Sequence, residues 1–517
     1  MAGIRCDVQA IEYAALAGRG EIALLERLAS PAGPAGYPRL DPARVVPSDS
    51  PWLDRGAAAR EIARQNPALP APDPECDYVV TGQQAGLMTG PLYAFLKAAT
   101  AIAVARDLSA RTGRAILPLF WVAGEDHDVL EVNRFTVNGR RFVREYSGEI
   151  SRGRMPQVAD IDLHDAREPL LRFLAAELPA TEFTPWILAQ VTAADFRSYA
   201  TAFADLMRGL FARWELRLVD PIGLRPLTAP VLAALVARWP AASAALAEGA
   251  ARLSAAGLAA PLDELRLFEI ADGLRVSAEA DGAGLRIGGR ALGWEAAAEA
   301  IRQAPERFSG GAALRPICQD AALPVAATIG GPSELAYLWQ VLPVAECAGV
   351  RSSARHPRIS ATFVGSSIAR AVAAARIEAR ELFKVGDLLQ APEGGERPDP
   401  RAAEIESATR DLLARIDALA VAGDPRWLRT SREAIGTAVE RITTRLGEER
   451  LAEQGRTRER LEKIAAALAP EGKLQERVVN PYQFLNLHGP DFVRETVERL
   501  DPWLCAHQLV WIRSGEA

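Results

Sequence analysis

The hydrophobic pattern of this chain changes period twice in quick succession around residue 80. Tyr78, Val79 and Val80 form a short continuous apolar run of buried-strand type, and residues 115–122 (AILPLFWV) form a second. Between them Leu92, Phe95, Leu96, Ala99, Ile102 and Ala103 recur at helical spacing. Pro91 suits the first helical position with Gly90 or Thr89 as its cap, and Gly113 marks the stop. Strand, helix, strand predicts a βαβ unit, with parallel strands joined by a right-handed crossover. The arrangement recurs further on. Residues 323–329 (LPVAATI) read as a strand, Gly330-Gly331-Pro332 as a turn, and Leu335, Leu338, Trp339 and Leu342 as one face of a helix.

The rest of the chain sorts around these units. The first seventy or so residues are helical in pattern up to a Pro-rich break at 67–74. A helical insert is expected at about 140–215, followed by the strand-like LRLVDP of 216–221. A second insert, at about 222–312, is mixed: helix first, then a β-meander of LRLFEI, GLRVSAEA and GLRIGG with turn glycines between the strands. From about 366 to 470 the pattern is helical apart from a Gly/Pro-rich break at 391–400. There Ile405, Leu412, Ile416 and Leu419, then Ile435, Val439, Ile442 and Leu446, step at heptad-like intervals on either side of the turn AGDPRW. That predicts an antiparallel coiled-coil hairpin. A self-complementary face would make it a homodimer contact; a hairpin folded onto its own core is the competing reading. The fold class is therefore α/β, with a core at 1–365, a helical hairpin at 366–470 and a segment at 471–517 that packs back on the core.

Composition narrows the function. The chain has 517 residues and a formal net charge of −6, with no basic footprint for nucleic acid and no polybasic membrane patch. No apolar run approaches the roughly 18–20 residues of a membrane span, and the first residues lack a signal pattern. Five cysteines, scattered and without a C-x-x-C pair, argue against both a disulfide framework and a zinc site. A reducing cytoplasm is the expected setting. Lysine occurs only at Lys97, Lys384, Lys463 and Lys473 in an arginine-rich chain, which singles each of them out.

Three clusters carry candidate chemistry. The first is Thr81, Gly82, Gln83, Gln84, Thr89 and Gly90, between a strand and the amino end of a helix, where open α/β sheets bind ligands and free N–H groups favour an anion. It matches no standard nucleotide motif, and a tight turn that simply needs glycine is the alternative. Tyr93 and Lys97 lie one turn apart on that helix, off the apolar stripe, so both can face the same pocket. The second is Glu125-Asp126-His127-Asp128 at the end of the second strand. Here His127 can act as a general base or hydrogen-bond an intermediate, and Asp126 or Asp128 can orient it. Alternatively the carboxylates hold Mg²⁺ with a nucleotide, or the run is a solvated capping loop. The third joins Arg315, Gln319 and Asp320 to Gly330, Gly331, Glu334 and Tyr337. Arg315 suits a carboxylate or phosphate, and Asp320 or Glu334 a substrate ammonium; Glu334 is equally a good first-turn helix residue.

Taken in order, TGQQAGLMTGPLYAFLK, PLFWVAGEDHD, LRPICQDAALPVAATIGGPSELAY and LQERVVNPYQFLN resemble the signature segments of the bacillithiol biosynthesis cysteine-adding enzyme family. They span residues 81 to 486, most of the chain. The resemblance implies a Rossmann-like core with connecting-peptide inserts, laid out like a class I aminoacyl-tRNA synthetase, plus a coiled-coil dimerisation hairpin. It implies a ligase joining cysteine to glucosaminyl-malate, with ATP or ADP, and Mg²⁺ alongside, as the expected cofactor for carboxyl activation. Through its last motif it adds Arg477, Asn480 and Tyr482 to the candidate site, with Lys473 just ahead. The chain has no H-I-G-H and no K-M-S-K-S-like loop, so synthetase chemistry does not carry over, and no cysteine/histidine set suits zinc. A nucleotidyltransferase, a ligase for another amine, or a non-catalytic dimeric nucleotide-binding scaffold are the other readings; the ionisable run at 125–128 favours an enzyme.

Overall fold

Eight strands and three helices position everything that bears on function. In chain order they are β1 (Asp77–Gln84), α1 (Leu92–Thr112), β2 (Ile116–Ala123), β3 (Arg217–Val219), β4 (Leu267–Ala271), β5 (Leu274–Ser277), β6 (Phe308–Gly310), α2 (Arg315–Ala322), β7 (Val325–Gly330), α3 (Pro332–Gln340) and β8 (Ala354–Pro357). The structure is a computed structural model describing residues 4–16, 23–30, 34–146, 148, 154–287, 289–384, 400–418, 426–453 and 458–514. The chain divides into two units. One comprises Met1–Thr362, Glu476–Val510 and Ser514–Ala517; the other comprises Phe363–Gln475 and Trp511–Arg513.

The first unit is built on a five-stranded sheet in the order β8-β7-β1-β2-β3, parallel throughout. The chain lays down β1, β2 and β3 in one direction, then returns to add β7 and β8 on the other side of β1. The strand order therefore reverses between β1 and β7, and the crevice beyond their carboxyl ends is where such a sheet binds ligands. The strands are apolar on both faces because helices cover both. α1 is buried almost all round, and its fully buried Phe95 stacks on Phe492 (centroids 5.4 Å apart) of the helix Pro490–Arg499. Burying one such side chain contributes about 1.5–3 kcal/mol. The helix ends at Gly113, whose φ of 68° is the left-handed cap that glycine adopts without strain.

Several sequence expectations need correction. The first residues are not helical: Ile4–Ile11 is a strand paired with one that begins at His507, a partner no local periodicity reveals. The insert expected to be helical from about 140 opens with the hairpin Arg134–Val137/Arg140–Val143, and its helices follow at Arg167–Glu177, Thr184–Ala193 and Tyr199–Phe211. The single meander is two sheets. β4 and β5 pair with each other and with β6 and Arg154–Met155, whereas Glu279–Ala280, Gly284–Ile287 and Arg290–Gly293 form a separate sheet. Among the described residues no single helix is long and apolar enough to cross a membrane.

In the second unit α4 (Pro400–Ala418) and α5 (Arg426–Glu453) pack side by side, and Arg432 near the start of α5 meets Asp417 near the end of α4 at 2.7 Å. That contact makes the pair a hairpin. Leu412 and Ile442 of the heptad pattern remain 48% exposed each. Leu419, the turn residues 421–425 and 391–399 of the Gly/Pro-rich break lie outside the described residues.

Candidate functional site

A cavity of about 550 Å³ opens at the reversal point of the sheet, lined by the loops after β1, β2 and β7 and by the first turns of α2 and α3. From the expected set it gathers Gln83, Gln84, Tyr93, Lys97, Glu125, Asp126, His127, Arg315, Gly331, Glu334, Tyr337 and Arg477. Three segments distant in sequence thus converge. The others lie elsewhere, for reasons that can be named.

The loop after β1 is shaped by close approach and by strain. A Cβ on Gly82 would lie 3.0 Å from the Trp121 carbonyl oxygen of β2, so the strands can run this close only with glycine there. Thr81 donates its hydroxyl to the Ile329 carbonyl of β7 (3.1 Å) and is buried in the sheet rather than facing ligand. Met88, Thr89 and Gly90 follow with φ of 51°, 65° and 73°. Left-handed backbone at a β-branched residue is strained, by about 1–3 kcal/mol. Asn480 holds it: its side-chain amide donates to the Met88 and Gly90 carbonyls at 2.7 and 2.8 Å. Thr89, Gly90, Asn480 and the fully buried Tyr482 therefore build the loop and do not line the cavity. At the amino end of α1 the Leu92 and Ala94 N–H groups already donate to the Val479 and Pro91 carbonyls (2.8 and 2.9 Å).

Lys97 is neither a surface residue nor a free cation. Only 2% exposed, its ammonium donates to the Gly82 carbonyl and Gln83 Oε1, each at 2.8 Å, and pairs with Glu334 Oε2 at 2.5 Å. An ammonium has three donors, and all three are used. The lysine thus braces the loop after β1 against the first turn of α3. Glu334 also accepts from the Gly331 N–H (2.8 Å), closing the amino end of that helix. Burial pushes the Glu334 carboxyl up, but Lys97, the Gly331 N–H and Arg315 together hold it below the usual carboxylate range.

The loop after β2 carries the ionisable run. Asp126 accepts from Gln84 Nε2 (2.9 Å) and from the His127 N–H (2.7 Å). Burial raises its pKa, yet Arg275 and these donors bring it below the ordinary aspartate value, so it is a carboxylate at neutral pH. His127 Nδ1 meets Arg275 Nη1 at 2.9 Å, and burial and that guanidinium lower its pKa. Glu125 is 3.7 Å from Arg225. Asp128 faces a neighbouring cavity of about 1020 Å³ that His127 also borders.

On the third side, Arg315 begins α2 and reaches the cavity, donating to the Tyr337 hydroxyl (2.7 Å). Among the described residues no carboxylate pairs with it. Burial pushes the Tyr337 phenol up to about 12 against the pull of Arg315, so the phenol stays neutral with its own hydrogen free to donate. The next turn of α2 runs under the sheet. Gln319 there bonds the Thr328 hydroxyl, and fully buried Asp320 pairs with Arg355 (3.0 Å) and Ser353. These two residues serve the core, contrary to the expectation that they bind substrate. Gly330 is buried at the end of β7, and Lys473 is exposed in the second unit.

Arg275, Phe268, Glu131 and Arg358 also line the cavity and went unnoticed in the sequence. Arg275 sits in an alternating strand, where a charge reads as a solvated face. Arg358 is tied to Glu476 at 2.6 Å, a residue of the last signature motif. Among the described residues, no group of three or more His, Cys, Asp or Glu is placed to hold a metal ion.

Comparison with known proteins bears on this cleft directly. Residues 69–359 match the family model "Bacillithiol biosynthesis BshC, N-terminal Rossmann-like domain", and residues 402–512 match the corresponding "C-terminal coiled-coil domain". Proteins named "Putative cysteine ligase BshC" from Salinibacter ruber and Koribacter versatilis are each 30% identical, over 85% and 81% of this chain and 84% and 81% of their own lengths. One from Halalkalibacterium halodurans is 29% identical over 85% of both chains. With both family models matched and all of the cleft's lining but Arg477 lying within the first, the chain belongs to the bacillithiol biosynthesis BshC family.

Proposed function

We propose that this chain is a ligase that joins L-cysteine to the amine of glucosaminyl-malate, forming bacillithiol, with ATP activating the cysteine carboxyl. Family membership supports the ligase reaction, and the chemistry of the cleft supports these substrates. The observation that carries the reading is Arg315. A malate moiety brings carboxylates and ATP brings phosphates, and either needs a cation not already neutralised. Arg315 has no carboxylate in ion-pair contact among the described residues and is bonded to a neutral phenol, with a planar fork suited to two oxygens. Tyr337 adds a second donor beside it. Across the cavity, Asp126 and Glu125 suit the cysteine ammonium, and Gln84 fixes the Asp126 carboxylate while leaving lone pairs for substrate.

ATP, when bound, supplies a leaving group on the cysteine carboxyl, and Mg²⁺ is proposed only as its accompanying counter-ion. The protein's part is to hold the carboxyl and the amine together in one cavity, a proximity effect of large potential size. The test is incubation of the purified protein with cysteine, glucosaminyl-malate and Mg-ATP, reading thiols and nucleotides by mass spectrometry. Bacillithiol should accumulate with one nucleotide cleaved per product. Failure to form the thiol with either ATP or other nucleoside triphosphates overturns the reaction, and equal yield without nucleotide overturns the activation.

A further inference from the structure

Arg275 lies in the middle of β5 with its side chain only 5% exposed. Its guanidinium is fixed from three sides. Nε donates to the Ser309 hydroxyl (3.1 Å), Nη2 to the Gly310 carbonyl (3.0 Å), and the plane lies 3.8 Å from the centre of the Phe268 ring. The remaining nitrogen, Nη1, points at His127 Nδ1 from 2.9 Å. An arginine only donates, so the imidazole nitrogen facing it must present its lone pair. A hydrogen on Nδ1 would set one N–H against another. The neutral ring therefore carries its hydrogen on Nε2.

From this geometry we infer that His127 serves as a neutral hydrogen-bond donor through Nε2, not as a proton acceptor, and that Arg275 is the positioning residue that fixes this tautomer. The inference deepens the ligase reading above and rests on it for the identity of the acceptor. In amide formation, negative charge develops on the oxygen of the reacting carbonyl and on the departing group. A fixed N–H aimed at such an oxygen is the arrangement that stabilises it. No bond to His127 forms or breaks: as the C–N bond forms, the bond from the carboxyl carbon to the departing group breaks, and the amine's proton passes to water in the open cavity.

The charged groups around the ring fit this assignment. Asp126 and Asp128 flank it on its own loop, with Asp126 Oδ1 3.7 Å from Nδ1. Arg275 faces it from β5, and Arg266 from the segment ahead of β4. Asp126 is also 3.9 Å from Arg275, so the carboxylate is shared between the two and does not capture the imidazole as a cation. Phe268 covers the ring from a further side, with centroids 5.3 Å apart.

The experiment has a spectroscopic arm on the free enzyme and a kinetic arm. The protein is labelled with ¹⁵N-histidine, and the His127 signals are identified by their loss in His127→Gln. At about pH 7 to 8, where the ring is neutral, they should show hydrogen on Nε2 and none on Nδ1. In Arg275→Met the same ring should sample both tautomers and titrate at higher pH. A wild-type ring with hydrogen on Nδ1, or one titrating in the ordinary imidazole range, overturns the assignment whatever reaction the protein catalyses. Kinetically, His127→Ala should lose on the order of 10²–10³ in kcat, whereas His127→Gln, whose amide can donate but cannot act as a base, should retain roughly tenfold more than alanine. Equal loss in the two variants, with the tautomer as described, overturns the donor role. Absence of ligase activity in wild type would instead bring down the function on which that role rests, leaving the tautomer result standing.

Discussion

The brace between Lys97 and Glu334 gives a prediction whose size follows from the structure. Lys97→Met keeps most of the side-chain volume but removes three donors and leaves Glu334 with the Gly331 N–H as its remaining close donor. Breaking one side of a buried ion pair costs about 3–5 kcal/mol. The Glu334 side chain is 26% exposed, so water recovers part of the loss and the lower end applies. The unsatisfied Gly82 carbonyl adds about 1 kcal/mol. Lys97→Met should therefore cost about 4 kcal/mol, and Glu334→Gln, which strands the ammonium, about 3 kcal/mol. The double variant removes both charges together, so its cost should fall short of the sum by about 2–3 kcal/mol, well outside the 0.3–0.5 kcal/mol within which independent sites add. Urea unfolding at pH 7 measures this by tryptophan fluorescence, because all but Trp427 and Trp511 of the ten tryptophans lie in the first unit. The Glu334 pKa is depressed in the fold, so its stabilisation is present above the unfolded carboxylate pKa and fades as pH falls through the folded one. Additive costs at pH 7 would refute the brace.

Other outcomes follow from the same geometry. Arg315→Met should raise KM for the anionic substrate roughly 10- to 100-fold with a smaller change in the melting temperature, and an unchanged KM would remove Arg315 from binding. Burial raises the Asp220 pKa to about 7, so its protonated form stabilises the fold at low pH and that contribution is lost as pH rises through about 7. Asp220→Asn, which can still accept from the Ile222 N–H, should raise the melting temperature more at pH 8 than at pH 5; equal shifts would contradict this. The half-exposed Leu412 and Ile442 lead us to propose that the α4–α5 hairpin joins two copies of the chain. Replacing residues 400–453 by a short linker should then halve the mass measured by light scattering, and an unchanged mass would reject it.

How much of this was legible in the sequence depended on whether a signal was local. The βαβ unit was, because continuous apolar runs, a helical stripe and Gly113 all lie within residues 78–122. The convergence of the Gly-rich turn and the acidic run was legible from their shared position at strand ends, whereas Arg315 lies ahead of β7 and only the fold brings it to the cleft. The state of Lys97 was not. Its place off the apolar stripe suggested an open face, but the loop after β1 and the first turn of α3 close over it, so a polar position became an interior one. Asp320 carried the right chemistry at the right distance from Arg315, yet a helix turns its successive residues through space, and this one ended under the sheet against Arg355. Arg275 gave no signal at all: its partner His127 is 148 residues away, and only the packing of β5 beside the loop after β2 brings them together.

The strained turn at Met88, Thr89 and Gly90 also sets an order of events during synthesis. Its fastener, Asn480, lies 392 and 390 residues downstream of the two carbonyls it holds. At about 5–20 residues per second, the ribosome needs roughly 20–80 s to deliver it. During that interval β1, β2, β7 and the whole of Phe363–Gln475 have already emerged, while the turn that shapes the cleft has nothing to close it. The nascent chain therefore carries a formed sheet and an unfinished pocket, and competence arrives with one of its last segments. A message cut short before residue 480 would lose this fastener together with the helix that packs on α1, and its product should be chemically silent.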